Sequence, residues 1–325
     1  MPPVDLWQLA DLQTPWCLLT AATLRIANHI DAGITHIDDL AAAAHCDPFV
    51  LHRLLETLIE KGVFEQPEPG RFALNEAARG LLNPGMLLGL DLDGFGGRMA
   101  HAWGTMLQYV RTGKSAYPEV FGCSFWEDLD AHPAIGAQFD AVIGPQGHGT
   151  PNPHFDITGG WASIQTVTDL GGGTGAMLAE ILRAHPHVHG TLLDVPRTVA
   201  RAPEILEAAG VADRATLAGQ SFFDPLPPGA DIYLLRGILN DWPDAETVAI
   251  LTRAAEAARP NGRVVVLKSV GPSGVPRGIS IEMVLLAGKH RTIDEFRDLA
   301  AQAKLEVVSA GRQPNGYYVV ECRPL

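Results

Sequence analysis

The chain has 325 residues, enough for about two domains of ordinary size, each with its own hydrophobic core. Hydrophobic residues make up 46% and charged residues 19%, a balance that excludes a wholly disordered chain or a fibrous repeat. Against 24 Lys and Arg stand 37 Asp and Glu, and the net charge of −13 sets the chain as a whole against phosphate backbones and anionic lipid.

Residues 5–31 carry apolar positions at helical spacing (Leu6, Leu9, Leu12, Leu18, Leu19, Ala22, Ile26, Ile30) and Gly33 ends the run, which predicts one or two amphipathic helices. The most apolar part, residues 15–30, is interrupted by Arg25, Asn28 and His29, so no membrane span is expected. The start MPPVDLWQL lacks a basic and then apolar leader, so no signal peptide is expected either. Cys17, Cys46, Cys123 and Cys322 are widely spaced, which predicts reduced thiols, no disulfide frame and a soluble cytoplasmic protein.

A short helix opens at Ile37, and Cys46-Asp47-Pro48 supplies a cap and first-turn proline for a second helix over residues 50–61. Residues 62–75 read as two short strands around a Pro/Gly turn. Helix, turn, helix and wing is a winged-helix pattern, for which DNA binding is the sharpest reading. His52, Arg53 and Lys61 on the second helix are balanced by Asp47, Glu56 and Glu60, so the basic footprint of a DNA reader is missing and no nucleic-acid partner is expected. Residues 84–160, rich in aromatics, read as linking helices.

From residue 166 strands and helices alternate. Strands are predicted at 166–170, 190–194, 215–219, 231–235 and 263–270, with helices at 175–184, 196–209 and 244–258, the pattern of a parallel sheet covered on both faces. A helix over 292–303 precedes two β runs, 305–310 and 316–322, whose short link suits an antiparallel hairpin. The loop DLGGGTGA (169–176) joins the first strand to its helix, where glycines let a cofactor approach the backbone. Its spacing satisfies both the dinucleotide pattern and the G-x-G-x-G of methyltransferases. Asp194, ending the second strand 19 residues beyond Gly175, suits a ribose and equally a helix cap.

The segments VTDLGGGTGAMLAEIL, HVHGTLLDVP, GQSFFDPLPPGADIYLLRGILNDWPDAE, ARPNGRVVVLKSV and GKHRTIDEF resemble the S-adenosylmethionine-dependent O-methyltransferases of the caffeic-acid/hydroxyindole type. The resemblance implies an α/β class I methyltransferase with an antiparallel C-terminal hairpin, behind an N-terminal winged-helix-like domain that forms a homodimer. The implied division is 1–85 for dimerisation, 86–160 for a helical linker contributing to the substrate pocket, and 161–325 for the catalytic domain. It implies S-adenosylmethionine as cofactor, S-adenosylhomocysteine as product, and a small aromatic natural product as substrate. By position, Asp169, Gly171 and Gly173 face the methionine part, Asp194 the ribose, Gln220, Ser221 and Phe222 the adenine, and Arg236 is a further cofactor contact. The family usually has Asp where this chain has Gln220, whose amide oxygen can still accept from an adenine amino group. Trp103, Met106, Phe139 and Met283 are the expected substrate lining.

The family's catalytic His falls at Asn240 in ILNDW (238–242), and an amide takes no proton near neutral pH. Where the family has a Glu before an Arg-Thr pair, GKHRT (288–292) places His290, and the shortened stretch before it leaves Glu282 without a secure counterpart. In-line methyl transfer draws roughly 7–11 kcal/mol from alignment alone, so the loss of a base is tolerable. Three reactions remain open at Asn240, Asp241 and His290. They are O-methylation with His290 or no base and Asn240 as a positioning amide, C-methylation of an aromatic or keto-acid carbon, and a non-methylation reaction on the same scaffold. No metal site is expected from the twelve histidines.

Overall fold

The structure is a computed structural model that describes residues 4–144, 149–275 and 278–325. They fall into two compact units, one of Met1–His101 with Pro133–Val142 and one of Ala102–His132 with Ile143–Leu325.

In the first unit the amphipathic run forms three helices, Leu6–Leu9, Gln13–Thr23 and Ile26–Asp31, the last break falling at Arg25, whose φ is +55°. Helices Ile37–Ala43 and Pro48–Glu60 follow; Asp47 caps the latter by accepting from the Val50 N–H at 2.9 Å. Leu51, Leu55 and Leu58, one face of that helix, are buried with Ile26, Leu40, Phe64 and Phe72, each worth roughly 1.5–3 kcal/mol of apolar burial. The wing is a hairpin of β1 (Glu65–Glu68) and β2 (Arg71–Ala73). Leu6, Trp7, Leu9 and Leu12 at the N-terminus remain exposed, Trp7 by 87%.

The second unit is built on β3 (Thr166–Leu170), β4 (His189–Asp194), β5 (Ala215–Gly219), β6 (Ile232–Arg236), β7 (Arg263–Leu267), β8 (Val270–Gly271), β9 (Arg291–Thr292), β10 (Leu305–Arg312) and β11 (Tyr318–Pro324). Seven of them make one sheet in the order β10-β11-β7-β6-β3-β4-β5, parallel except for β11, which runs antiparallel to both β7 and β10. This is the order expected of a doubly wound sheet with a terminal hairpin, and apolar side chains of β3, β6 and β7 are buried on both faces.

Two elements depart from the sequence reading. The run 263–270 stops at Leu267 because Lys268 takes a left-handed φ of +65°, and Val270–Gly271 instead pairs with Arg291–Thr292. The helix expected over 196–209 is two, Pro196–Val199 and Ala202–Ala208, because Pro203 lacks the N–H to continue the first and suits the first turn of the second.

Candidate active site

Strand β3 lies between β4 and β6, so the chain leaves its C-terminal edge in opposite directions on either side, the place where open α/β sheets bind ligands. Three of the sequence-selected groups converge there. Gly171, Gly173 and Gly175 hold φ of +66°, +63° and +87°, which side-chain-bearing residues rarely adopt. The Gly173 N–H donates to Asp194 Oδ2 at 2.8 Å and the Val195 N–H to Asp194 Oδ1 at 2.7 Å, so one carboxylate ties the loop after β3 to the loop after β4.

Beneath that loop Asp169 is buried, and its Oδ2 has no hydrogen-bond partner. Burial pushes its carboxyl up to about 7; Arg236 pulls it down and Asp194 pushes it further up. Arg236, at the end of β6, keeps a buried Nε that also lacks a partner. An acceptor and a donor of opposite charge, both under-satisfied below a glycine loop, fit a ligand that itself carries a donor and an acceptor, such as the amino-acid part of a cofactor.

After β5, Gln220 is half-buried and its Nε2 donates to the Pro225 carbonyl at 3.1 Å, which holds the amide in the loop and leaves its oxygen as an acceptor. Ser221 Oγ accepts from the Phe223 N–H at 3.2 Å. Phe222 and Phe223 stand edge-on to Trp242 at 5.8 and 4.9 Å, and Trp126 stacks on Trp242 at 5.9 Å and 15°. Helix Phe125–Ala131, which carries Trp126, also reaches the β4 loop, where the Arg197 Nε donates to Asp130 Oδ1 at 2.6 Å.

The loop after β6 holds Asn240 and Asp241 in a single turn, Leu239–Asp241. Asn240 is buried, and both ends of its amide are engaged: Ser269 Oγ donates to its Oδ1 at 2.9 Å, and its Nδ2 donates to Asp241 Oδ1 at 2.8 Å. Burial, and then the nearby charge of Glu282, raise the Asp241 carboxyl well above the usual carboxylate range. Glu282 and Met283 lie on helix Ile281–Leu286, which packs against this turn. A Cβ at Gly288 would collide with the Asn240 carbonyl.

Arg291 fixes the turn from behind. Fully buried, it donates to the carbonyls of Leu239 (2.6 Å), Trp242 (2.8 Å) and Lys289 (3.0 Å) and, through Nε and Nη2, to Asp244 Oδ1 at 2.9 and 2.8 Å. Ser269 and Arg291 were not singled out in the sequence. The only signal for the arginine was its place in GKHRT, and for the serine nothing pointed inward until the strand broke at Lys268. His290 lies between Lys289 and Arg291, half-buried, while the cap of the following helix is Thr292, which accepts from the Glu295 N–H at 3.3 Å. The helix Asp244–Ala257 is capped at Pro243, so neither Asp241 nor Trp242 serves as its cap.

Among the residues expected to line a substrate pocket, Met283 lies on the helix that packs against the turn, and Trp103 (42% exposed) and Met106 (half-buried) lie on other helices of the same unit. Phe139 belongs to the first unit, edge-on to Phe95 at 5.3 Å. His185, in the loop that leads into β4, is stacked on Trp161 at 4.3 Å. Among the described residues no three His, Cys, Asp or Glu side chains are placed to hold a metal ion, and no helix is long and apolar enough to cross a membrane.

Residues 103–305 match the O-methyltransferase domain, and residues 7–84 match the O-methyltransferase dimerisation domain. The chain is 38% identical to a 2,7-dihydroxy-5-methyl-1-naphthoate 7-O-methyltransferase of Streptomyces carzinostaticus, over 94% of each chain. It is 36% identical to an aclacinomycin 10-hydroxylase of Streptomyces purpurascens, over 94% of this chain and 85% of that one. Its fold superposes, with a TM-score of 0.88 and 37% identity over 100% of both chains, on an O-methyltransferase from neocarzinostatin biosynthesis in complex with S-adenosylmethionine and 2-hydroxy-5-methyl naphthoic acid.

Proposed function

The chain belongs to the O-methyltransferase family that joins a catalytic domain to a dimerisation domain, and from that premise we propose that it transfers a methyl group from S-adenosylmethionine to a hydroxyl of a small aromatic natural product. The observation that carries the reading is the cofactor cradle at the topological switch point: a glycine loop tied to Asp194, over a buried Asp169 and Arg236 that each keep an unpaired polar atom. S-adenosylmethionine supplies an electrophilic methyl on a positively charged sulfur. Asp169 and Arg236 suit its ammonium and carboxylate, with Gly171 and Gly173 giving the close approach. Asp194 accepts from its ribose hydroxyls, Gln220 and Ser221 run along its adenine, and Phe222 covers it.

Catalysis on this reading comes mainly from proximity and orientation, which supply roughly 7–11 kcal/mol without proton chemistry. Asn240 is a positioning amide, held from Ser269 and holding Asp241. His290 is the candidate base from the neighbouring position, Asp241 completes the catalytic turn, and Trp103, Met106, Phe139 and Met283 are the candidate substrate contacts. The division into residues 1–85, 86–160 and 161–325 belongs to the same proposal, supported at its first boundary by the dimerisation match over 7–84. The protein is a homodimer through that domain, whose N-terminal apolar residues Leu6, Trp7, Leu9 and Leu12 are exposed in the single chain. We place it in the cytoplasm, in keeping with four free cysteines and a net charge of −13.

A second reading, a non-methylation reaction on the same scaffold, is favoured by two observations: Asn240 stands where the family has its base, and one 36% identical relative is a hydroxylase. Incubation with S-adenosylmethionine and a panel of hydroxynaphthoates separates the two. Equal amounts of S-adenosylhomocysteine and a product heavier by one methyl support O-methylation, and a product formed without S-adenosylhomocysteine refutes it.

A further inference from the structure

The geometry points to Asp241, oriented by Asn240 and flanked by Glu282, as the group that takes the proton from the substrate hydroxyl in place of the missing histidine. This assignment rests on the O-methylation reading and deepens it. The observation behind it is the direction of the hydrogen-bond chain. Ser269 Oγ donates to Asn240 Oδ1, Asn240 Nδ2 donates to Asp241 Oδ1, and the chain ends on a carboxylate with a second oxygen still able to accept. Both ends of the amide thus serve to aim Asp241, much as a third group aims the base in other proton-transfer sites.

The setting suits the task. Arg291 clamps the backbone on both sides of the turn, and helix Ile281–Leu286 closes on it, so Asp241 is held rather than free to rotate. At the start of that helix the buried Ser280 Oγ has no hydrogen-bond partner, a second polar group left under-satisfied on the element that faces the turn. A carboxylate of ordinary acidity is a poor acceptor for a phenol of pKa near ~10. Burial, and then Glu282, raise Asp241 and make it a stronger base. The other charged groups on the surrounding elements are compensated: Lys289 pairs with Asp244 and Glu295 at 3.4 Å, and Arg291 with Asp244. His290, on the same arm, is the rival.

In the step itself the substrate O–H bond breaks, its electron pair stays on oxygen, and the proton passes to the Asp241 carboxylate. The oxygen then bonds to the methyl as the methyl–sulfur bond of S-adenosylmethionine breaks, the electron pair of that bond staying on sulfur so that S-adenosylhomocysteine leaves, and Asp241 returns the proton to water. Because Asp241 must be ionised to accept, activity rises with pH through its raised pKa.

The test uses the full-length dimer. The pH dependence of methyl transfer to 2,7-dihydroxy-5-methyl-1-naphthoate is measured beside the protonated-carboxyl infrared band of the cofactor-free protein, for the wild type and three variants. Asp241→Asn, which keeps an oxygen for the Asn240 amide, is expected to remove one titrating band while that of the raised Asp169 carboxyl stays, and to lose about 100-fold or more in rate on a weakly acidic phenol. Glu282→Gln removes the neighbouring like charge and is expected to move both the band's midpoint and the acid limb of the rate to lower pH. His290→Ala is expected to move neither. An acid limb that moves with His290→Ala and not with Glu282→Gln overturns the assignment while leaving methylation standing. A wild type that titrates its carboxyl but methylates no hydroxyl in a hydroxynaphthoate panel overturns the methylation reading, and the assignment with it.

Discussion

Replacing Arg291 tests whether the Leu239–Asp241 turn is held from behind. Arg291→Met removes the donors to the Leu239 and Trp242 carbonyls and breaks the pair with Asp244. Each carbonyl left without its donor costs about 1–3 kcal/mol. Asp244 is 49% exposed, so its ion pair adds only about 0–1 kcal/mol. The expected loss is about 3–5 kcal/mol, and about 2–4 °C of melting temperature per kcal/mol for a unit of this size. Arg291→Lys carries the charge without the fork, and about half that loss is expected. Thermal and denaturant unfolding measure it, with Arg183→Met as a control, since its pair with Glu180 lies on an exposed helix face and is worth about 0.2–0.5 kcal/mol. In kinetics, Arg291→Lys is expected to lower kcat by about 100-fold through misplacement of Asn240 and Asp241, with cofactor affinity little changed because the glycine loop is tied elsewhere. An Arg291→Met protein no less stable than Arg183→Met, or a wild-type kcat in Arg291→Lys, would show that Arg291 does not hold the turn.

Asp194→Ala removes a carboxylate that accepts from two loop N–H groups and is the candidate ribose contact, and a rise of about 10–150-fold in the dissociation constant for S-adenosylmethionine is expected by calorimetry. Gly288→Ala drives a methyl into the Asn240 carbonyl and is expected to destabilise by about 1–3 kcal/mol in denaturant unfolding, whereas Gly89→Ala, with open space around it, is not. Asp169 has its carboxyl raised from an unfolded value near ~3.9 to about 7, so the unliganded protein binds more protons than its unfolded chain across that window. Its stability is therefore expected to fall as pH rises from about 4 to about 7, and Asp169→Asn to flatten that slope, as measured by denaturant midpoints at pH 4.5, 6 and 8.

The fold was legible because its signals are local. Apolar strands such as TVTDL and DIYLL alternate with helical runs, and the glycine loop falls where the first strand meets its helix, so the sheet and its ligand edge follow from periodicity and one motif. Asp194 and Asn240 could be picked out because they end strands or replace a motif residue. What escaped the sequence is what long-range packing decides. Ser269 reads as one more strand residue until the left-handed Lys268 turns the chain, and the role of Arg291 exists only once four backbone and side-chain acceptors from residues 239–289 are folded around it. Glu282 had no secure counterpart because its meaning lies in which turn its helix packs on. The apolar residues Trp103, Met106 and Phe139 carry no such directional signal, since an aromatic or a methionine fills a core as readily as it lines a pocket.

Methyl transfer to oxygen is followed most directly by the fate of a methyl group labelled with carbon-13 on S-adenosylmethionine, observed by NMR in the presence of a hydroxynaphthoate. O-methylation puts the label on an aromatic methoxy carbon in step with S-adenosylhomocysteine. A label that appears on a ring carbon, or that stays on the cofactor while the substrate is converted to another product, would contradict it.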